Sequence, residues 1–577
     1  MAKLNIDQKN IKDLFEDKKS DFLIPDYQRP YAWEEDECKT LWDDIFEFAF
    51  PNNNADDFNS EEEYYLGPIV TFRNDDGKKE IIDGQQRLTT LMLLLRAFYV
   101  KFGKMQDSNS KKMRENIEKC IWKTDEFGNP NKDALKINSE VATDNDKDEF
   151  LKILNTGDAT NMKSRYAENY RFFQKQIDEF LNGYPSYFSY LPARILNNCI
   201  LLPIEADDQN TALRIFSTLN DRGLPLSDAD IFKAQFYKYY SSKGLKNDFI
   251  EKWKKLEEVC GRIFSPQSGT PLDELFSRYM YYERAKMGNT LSTTESLRKF
   301  YEKNKYELLR KDETLENLID LADFWNDIAA QDNDRFSEDV LKRLFVLNYA
   351  PNSMWTYFVS VYYLHNRNDK GELDNNVFDA FLQKTIAFVW AHAVYMPGVN
   401  ALRTPIYTAM VNIVNNQPIE FADRKFDLVQ LKSMFQNYEF NNNRPITKSM
   451  LAWWAYQDPD QPLLSIETSY DIEHIYAKNR NEKENSLTNI KNIEKLGNKS
   501  LLEKRINIRA SDYRFEDKKK YYEGFVTARG KKKEATGIVS LKKLTAQTDF
   551  VEADIINRNN AIIEAFMEYL KMNKLNK

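Results

Sequence analysis

The chain contains only three histidines, His365, His392 and His474, so any chemistry that needs an imidazole must use one of them. HExxH metalloprotease sites and histidine-rich two-metal sites are thereby excluded. A lone histidine is more often structural than catalytic, but Glu473 directly precedes His474 and Asn507 lies downstream. Such a set supplies a general base and oxygen ligands for one hard cation, Mg²⁺ or Mn²⁺. It is the chemistry that hydrolysis of a phosphodiester requires.

A second candidate site lies in the segment IIDGQQRLTTL, residues 81–91, where a strand runs through a tight turn into a helix. Free backbone N–H groups at a helix start bind anions, and Gly84 allows a close approach. Arg87 can donate two hydrogen bonds to a phosphate, and the two glutamines before it can hold a water or a ribose. Asp83 can ligate Mg²⁺ or cap the helix. On spacing alone, the plainer interpretation is favoured, in which Asp83 only caps the helix and Arg87 pairs with the acidic block of residues 31–65.

The elements around this junction have clear sequence signals. Residues 67–73 and 78–82 are rich in apolar and β-branched side chains and flank the turn cluster NDDG, which predicts a β-hairpin. A Leu-rich helix is predicted over residues 85–98. From about residue 110 onward, apolar residues recur every three or four positions, as in 148–154, 166–181, 211–219 and 226–240. We therefore predict a predominantly helical α+β fold.

Composition limits the class of protein. The chain has 577 residues, of which 42% are hydrophobic and 14% aromatic, so it can build large cores and is not disordered. Its four cysteines are too far apart for a zinc ribbon or a CxxC pair. The most apolar run, residues 89–100, is short and carries Arg96, and the first ten residues lack the apolar core of a signal peptide. A soluble, cytoplasmic protein with reduced thiols is expected.

Charge is distributed unevenly along the chain. The net charge is −8, so any nucleic-acid contact must come from a local patch. Residues 31–65 contain 12 acidic and 1 basic side chains, and residues 491–550 contain 16 basic and 8 acidic ones. Solvated surface is the plain interpretation of both blocks, although a basic block around an active site also suits a polyphosphate substrate.

Three N-terminal motifs point to a known family. The segment IPDYQRPYAW at residues 24–33, together with IIDGQQRLTTL, closely resembles the N-terminal domain of GmrSD-type restriction enzymes and their SspE-like relatives. FSTLNDRGLPL at residues 216–226 is similar to a third element of that domain. The resemblance covers about residues 10–240 and implies a ParB-like domain that binds and hydrolyses an NTP. The nucleotide-site residues that it implies are Gln28, Arg29, Asp83, Gly84, Gln85, Gln86, Arg87, Asn220 and Lys233.

The C-terminal segments YDIEHI at residues 470–475 and LGNKSLL at residues 496–502 resemble the HNH, or His-Me finger, nuclease domain of the same family. The resemblance covers about residues 430–570. It implies that His474 is the general base, that Glu473 and Asn507 are metal ligands, and that Asn498 orients the histidine loop. The sequence departs from the usual motif of this domain at three positions, Ala477, Lys478 and Asp512.

The two resemblances predict three regions: a ParB-like NTP-binding domain with packed helices at 1–245, a helical region at 246–425 and an HNH nuclease domain at 426–577. The function they imply is an NTP-dependent, modification-sensing DNA endonuclease of anti-phage defence, using Mg²⁺ or Mn²⁺ and acting on modified phage DNA, with a homo-oligomer as a possible assembly. The mark sensed is left open between glucosylated hydroxymethylcytosine and backbone phosphorothioate. Two alternatives are a ParB-like, NTP-gated DNA-binding switch with an inactive nuclease domain, and an RNase toxin.

Overall fold

The computed structural model describes residues 5–6, 8–18, 20–209, 211–213, 215, 227–266, 268–511 and 514–577. It divides into two compact units, Met1–Lys255 and Leu256–Lys577, and the helix Lys246–Ile263 contains the boundary. The protein is 58% helical with small sheets, which confirms the predicted predominantly helical α+β fold.

The first unit is built on a mixed sheet. Its described strands, in chain order, are β1 Asn5–Ile6, β2 Lys9–Asn10, β3 Phe22–Ile24, β4 Tyr64–Arg73, β5 Lys79–Asp83, β6 Trp122–Thr124, β7 Pro130–Leu135, β8 Ile137–Ser139 and β9 Cys199–Ala206. The main sheet has the order β1-β9-β4-β5-β3-β8, with β2 also on β9, and β6 pairs with β7 separately. β4 and β5 form the predicted antiparallel hairpin, while β9 runs parallel to β4.

Helices cover this sheet. They are α1 Ile11–Glu16, α2 Glu35–Ala49, α3 Gln85–Phe102, α4 Ser108–Ile121, α5 Lys147–Thr156, α6 Arg165–Gly183, α7 Tyr190–Asn198 and α8 Asp228–Ser242. The predicted Leu-rich helix is α3, and it is buried along nearly its whole length, which explains why its apolar residues surround it rather than forming one stripe. Side-chain caps fix the starts of α4, α6 and α8, through Asp107, Ser164 and Ser227.

The chain after residue 110 is mostly helical, as predicted, but strands β6 to β9 interrupt it, and β9 had no strand signal in the sequence. Cys199–Ala206 is an interior strand of the sheet, paired with β4 on one edge and with β1 and β2 on the other. Its run of CILLPI is apolar on both faces, so it lacks the alternation that identifies a half-buried strand. Pro203, which removes a backbone donor, also argues against an interior strand in sequence.

The second unit begins with helices. After the boundary helix α9 Lys246–Ile263 they are α10 Pro271–Lys286, α11 Leu297–Tyr301, α12 Asp312–Ala329, α13 Glu338–Leu347, α14 Met354–Asn366, α15 Asn375–Tyr395, α16 Val399–Val414, α17 Leu428–Asn437 and α18 Pro445–Ala455. Their aromatic residues pack as core, as the sequence indicated: Trp390 contacts Trp453 edge-on, and both lie against Phe566.

Short strands and helices complete the second unit. They are β10 Tyr470–His474, α19 Lys478–Glu484, β11 Lys499–Glu503, α20 Lys504–Ala510, α21 Phe515–Glu523, β12 Phe525–Val526, β13 Lys532–Lys533, α22 Val539–Leu544 and α23 Glu552–Met572. β10 pairs with β11, and β12 pairs with β13, both antiparallel.

Candidate functional site

His474 stands at the end of a ββα arrangement. β10 and β11 pair in antiparallel register from Tyr470 opposite Glu503 to His474 opposite Lys499. α20 follows β11 without a gap and packs on both strands. The strands therefore fix the backbone of His474, and the helix carries Asn507 on the same small framework.

Asn498 holds the turn that follows His474. Its side chain is fully buried and bonds to the backbone of Tyr476 at both ends: Oδ1 accepts from the N–H at 2.7 Å, and Nδ2 donates to the carbonyl at 3.1 Å. Nδ2 also donates to the carbonyl of Ile493 at 3.1 Å, and the backbone N–H of Ile475 donates to the carbonyl of Asn498 at 2.8 Å. The loop beyond His474 is thus fixed in one conformation.

The imidazole of His474 lies in a charged pocket. Its side chain is 13% exposed, and Nε2 is buried without a hydrogen-bond partner among the described residues. The nearest carboxylate oxygen, Oε1 of Glu494, is 3.7 Å from Nε2, which is an ionic contact rather than a hydrogen bond. Glu494 also pairs with Lys478 and Lys499, at 2.5 Å each.

These surroundings decide the charge of the ring. Burial lowers the pKa of His474, Glu494 opposes that effect, and the two lysines add to it. The contacts of Glu494 with His474 and with both lysines hold its own pKa well below the usual range. A neutral imidazole beside a fixed carboxylate is able to accept a proton from water at neutral pH.

Glu473 contacts a different set of residues from those around His474. Its carboxylate is 3% exposed; Oε1 accepts from Lys518 Nζ at 2.7 Å and from the Tyr522 hydroxyl at 2.5 Å. Lys518 also donates to the carbonyl of His474 at 2.7 Å. Burial and the Glu473 charge raise the pKa of Tyr522, so its hydroxyl stays a donor. Glu473 therefore ties α21 to β10.

Of the two predicted metal ligands, Glu473 is committed to an ion pair. Its charge is balanced by Lys518, whose Nζ lies 2.7 Å from Oε1. Asn507 is half-buried on α20, and in the described residues no hydrogen bond joins its side chain to Glu473 or His474. Nor do the described parts of the chain hold any group of three His, Cys, Asp or Glu side chains arranged for a metal. One uncommitted amide oxygen is a poor set for Mg²⁺.

Removing the Asn498 side chain tests the loop it holds. We expect Asn498→Ala to lower the free energy of unfolding by about 1–3 kcal/mol, because the N–H and carbonyl of Tyr476 lose buried partners. DNA cleavage should fall with it. The exposed Asn437, in the same unit, is a matched control: Asn437→Ala should stay within about 0.5 kcal/mol. Urea unfolding and plasmid cleavage measure both, and parental cleavage by Asn498→Ala would contradict the role.

The second predicted site lies where β5 meets α3. Gly84 is the N-cap of α3, with φ of 90°, and a Cβ there would lie 3.1 Å from Ile69 Cγ1. Asp83 is the last residue of β5 and does not cap the helix. Arg87 folds back from the first turn and donates from Nη1 to the carbonyl of Pro68 at 2.8 Å. The first N–H groups of α3 have no partner within the helix, so the junction keeps its anion-binding geometry.

The three glutamines of the two motifs shape this junction. Gln28 donates to the carbonyls of Ile81 and Ile82 at 3.1 and 3.3 Å. Gln85 donates to the carbonyl of Arg29 at 2.8 Å. Gln86 donates to Pro30 and accepts from the N–H groups of Ala32 and Trp33. The glutamines thus join the two motifs into one structure, and their amides are bound to backbone groups.

Charged residues gather at this junction. Burial raises the pKa of Asp83, against the effects of the Gly84 N–H, Arg87 and Arg29. Burial lowers the pKa of Arg87, and Asp83 opposes that effect. The charges of Arg87 and Arg29 therefore both act on the buried Asp83.

The structure adds polar groups beside this junction that sequence reasoning missed. The Tyr27 hydroxyl donates to Glu80 at 2.9 Å, and Asp26 accepts from the Tyr237 hydroxyl at 3.1 Å and pairs with Lys246 at 2.7 Å. Asp26 and Tyr27 belong to the IPDYQRPYAW motif, which was the available signal.

Two predicted nucleotide-site residues remain. Lys233 is buried in α8, with Nζ 5.9 Å from the Trp253 ring centre. Asn220 lies outside the described residues, as does Asp512.

Family comparisons agree with these two regions. Residues 11–237 match the family model of the GmrSD restriction endonuclease N-terminal domain, and residues 425–565 match that of the C-terminal domain of GmrSD restriction endonucleases. The two matches define a restriction endonuclease, which acts on DNA in defence against phage. The chain belongs to the GmrSD restriction endonuclease family.

A comparison with individually curated proteins finds no match. Within the described residues, no helix combines the length and the apolar character that crossing a membrane requires.

Proposed function

We propose that the protein is an NTP-dependent, modification-sensing DNA endonuclease of anti-phage defence, in which His474 is the general base for phosphodiester hydrolysis. The observation that carries the proposal is the position of His474 at the end of β10 in the ββα framework, with Oε1 of Glu494 3.7 Å from Nε2; burial lowers the pKa of the ring. An imidazole in that state takes a proton from an attacking water, and Asn498 keeps its loop in position.

Neighbouring groups give this base its setting. Glu494 lies beside the ring and stabilises the imidazolium that forms when a proton is taken up. Lys518 and Tyr522 anchor Glu473, and through it the strand that ends in His474. The resemblance to HNH nucleases further predicts Mg²⁺ or Mn²⁺ at Glu473 and Asn507. Because Glu473 is committed to Lys518, no step of this account uses the metal. Chelation with EDTA tests the metal requirement on its own.

The first unit supports the NTP part of the proposal. At the β5–α3 junction, a left-handed Gly84, a helix start, Arg87 and Arg29 surround Asp83. This arrangement suits the phosphates of a nucleotide, with a ParB-like domain as the fold that the motifs resemble. Gln28, Gln85 and Gln86 hold the junction together, and Lys233 and Asn220 complete the proposed set by resemblance.

Two variants test the nucleotide site. We expect Arg87→Ala to reduce NTP hydrolysis more than tenfold, because a charge-assisted phosphate contact contributes about 1.5–3 kcal/mol. Asp83→Ala should also reduce it more than tenfold, because it removes the carboxylate whose charge acts on Arg87 and which is the candidate Mg²⁺ ligand of this site. Arg73, an exposed arginine of β4 paired with Glu205, provides the control Arg73→Ala, which should hydrolyse at the parental rate. Phosphate release measures activity and thermal melting confirms folding. Parental hydrolysis by both variants would place the nucleotide elsewhere.

The alternative functions predict different products. An NTP-gated switch with an inactive nuclease domain would bind DNA without cutting it, and an RNase toxin would cut RNA in preference. The ββα framework that ends in His474, with the Glu494 carboxylate beside the ring, favours an active nuclease over the switch. Cleavage assays on DNA and on RNA with the same preparation separate the three.

A further inference from the structure

A basic hairpin projects from the second unit. We use this name for residues 525–533, FVTARGKKK, formed by β12, β13 and the turn between them. It contains Arg529, Lys531, Lys532 and Lys533 and no acidic residue, although Glu523 and Glu534 flank its base. Residues 528–532 are all exposed, and the Val526 side chain is 66% exposed. Within the described residues, none of its four cationic side chains forms an ion pair.

The tip of the basic hairpin is an ordered turn. The N–H of Thr527 donates to the carbonyl of Lys531 at 2.9 Å, and the N–H of Gly530 donates to the carbonyl of Thr527 at 2.8 Å. The Thr527 hydroxyl accepts from the N–H of Lys531 at 3.0 Å, and Gly530 supplies the left-handed φ of 75° that the turn needs. The positive charges are therefore presented on a fixed ribbon.

Both ends of the basic hairpin are attached to the His474 framework. On the N-terminal side of the hairpin, Lys518 and Tyr522 of α21 bond to Glu473 of β10. On the leaving side, the N–H of Thr536 donates to the carbonyl of Tyr522 at 3.0 Å, and its hydroxyl donates to Glu503 at 2.6 Å. Gly524 makes the close packing of the base possible, since a Cβ there would lie 2.7 Å from the carbonyl oxygen of Lys533. The ribbon thus has a fixed relation to β10 and β11.

We propose that the basic hairpin is the element of the second unit that binds the DNA duplex, entering a groove and contacting its phosphates. Four cations on an exposed ribbon match a polyanion. The major groove admits a two-stranded β-ribbon and is about 8.5 Å deep. A ribbon that rises about 3.3 Å per residue spans that depth within three residues of its tip. The inference rests on the proposed function, because it takes DNA as the substrate of the His474 site.

Charge neutralisation tests this surface. The variant Arg529→Gln/Lys531→Gln/Lys532→Gln is compared with a control in which three exposed lysines of the same unit are changed, Lys299→Gln/Lys305→Gln/Lys370→Gln. Binding to a short labelled DNA duplex is measured by fluorescence anisotropy in EDTA, between about 50 and 200 mM salt. We expect the hairpin variant to bind more than tenfold more weakly, with a log–log salt slope reduced by about 2–3, since each phosphate contact contributes about 0.9.

The remaining outcomes separate the two proposals. The control should bind like the parent, and both variants should keep the parental melting temperature and NTP hydrolysis. Three results would overturn the hairpin proposal: an unchanged salt slope in the hairpin variant, a loss of duplex binding no larger than that of the control, or a loss of binding confined to an RNA duplex. The proposal that the protein cuts DNA would survive each of them. If the parent cuts no DNA but the hairpin variant still loses duplex binding, the proposed nuclease function falls and the hairpin proposal stands.

Discussion

Replacing His474 with alanine is expected to reduce DNA cleavage by about 10²–10⁴-fold, the usual contribution of a general base, while NTP hydrolysis continues at the parental rate. His392 resembles His474 in its burial, in its lowered pKa and in an Nε2 without a hydrogen-bond partner among the described residues, but within those residues no carboxylate pairs with its ring. His392 is buried within an aromatic helix, and His365 bonds to Asn416 on the surface of the second unit. The nucleotide junction uses other residues and should not need the ring.

The matched control for this prediction is His365→Ala, which removes an imidazole from the same unit without touching β10. It should cut at the parental rate. Nicking and linearisation of a plasmid, followed alongside phosphate release, measure both activities in one preparation. Full cleavage by His474→Ala would place the chemistry elsewhere, and the role assigned to β10 and β11 would have to be withdrawn.

Adding one methyl group at Gly497 is expected to lower the free energy of unfolding by about 3 kcal/mol or more, because overpacking against backbone cannot be relieved by a rotamer change. A Cβ there would lie 2.0 Å from the carbonyl oxygen of Ile555 and 2.6 Å from the backbone nitrogen of Asn559, both in α23. The neighbouring Asn498 would be displaced with it. Cleavage should therefore fall together with stability.

Thermal melting checks this prediction. At about 2–4 °C per kcal/mol for a unit of this size, Gly497→Ala should melt about 6–12 °C lower than the parent. Gly261 provides the control, since it lies in α9 and a Cβ there meets nothing within 4 Å. Gly261→Ala should be stabilising by about 0.4–1 kcal/mol, because alanine reduces the entropy of the unfolded chain. An unchanged melting temperature for Gly497→Ala would contradict the tight packing of α23.

Local sequence signals predicted the parts of the fold that depend on local physics. The apolar and β-branched runs of β4 and β5, the NDDG turn and the Leu-rich start of α3 are enough to locate the junction at Gly84. The YDIEHI and LGNKSLL segments likewise placed the framework of His474. The hairpin follows from residues close together in sequence, whereas the His474 framework was identified by resemblance and its two strands pair across 25 to 33 positions.

Long-range pairing explains what the sequence did not predict. β9 is stabilised by strands that precede it by more than a hundred residues, so its own residues carry no alternating pattern. Glu473 pairs with Lys518, 45 positions away, so a residue whose motif predicts a metal ligand forms an ion pair instead. The glutamines of the first unit are similar: their partners lie more than 50 positions away, and nothing local indicates that their amides are occupied.

We propose that nucleotide use in the first unit and DNA cutting in the second belong to one modification-dependent nuclease. Digestion of unmodified, glucosylated and phosphorothioate-bearing DNA, each with and without each of the four NTPs, tests it most directly. One modified substrate should be cut far faster than unmodified DNA, and an NTP should change the rate. Equal cutting of all three substrates, with no effect of any NTP, would contradict it.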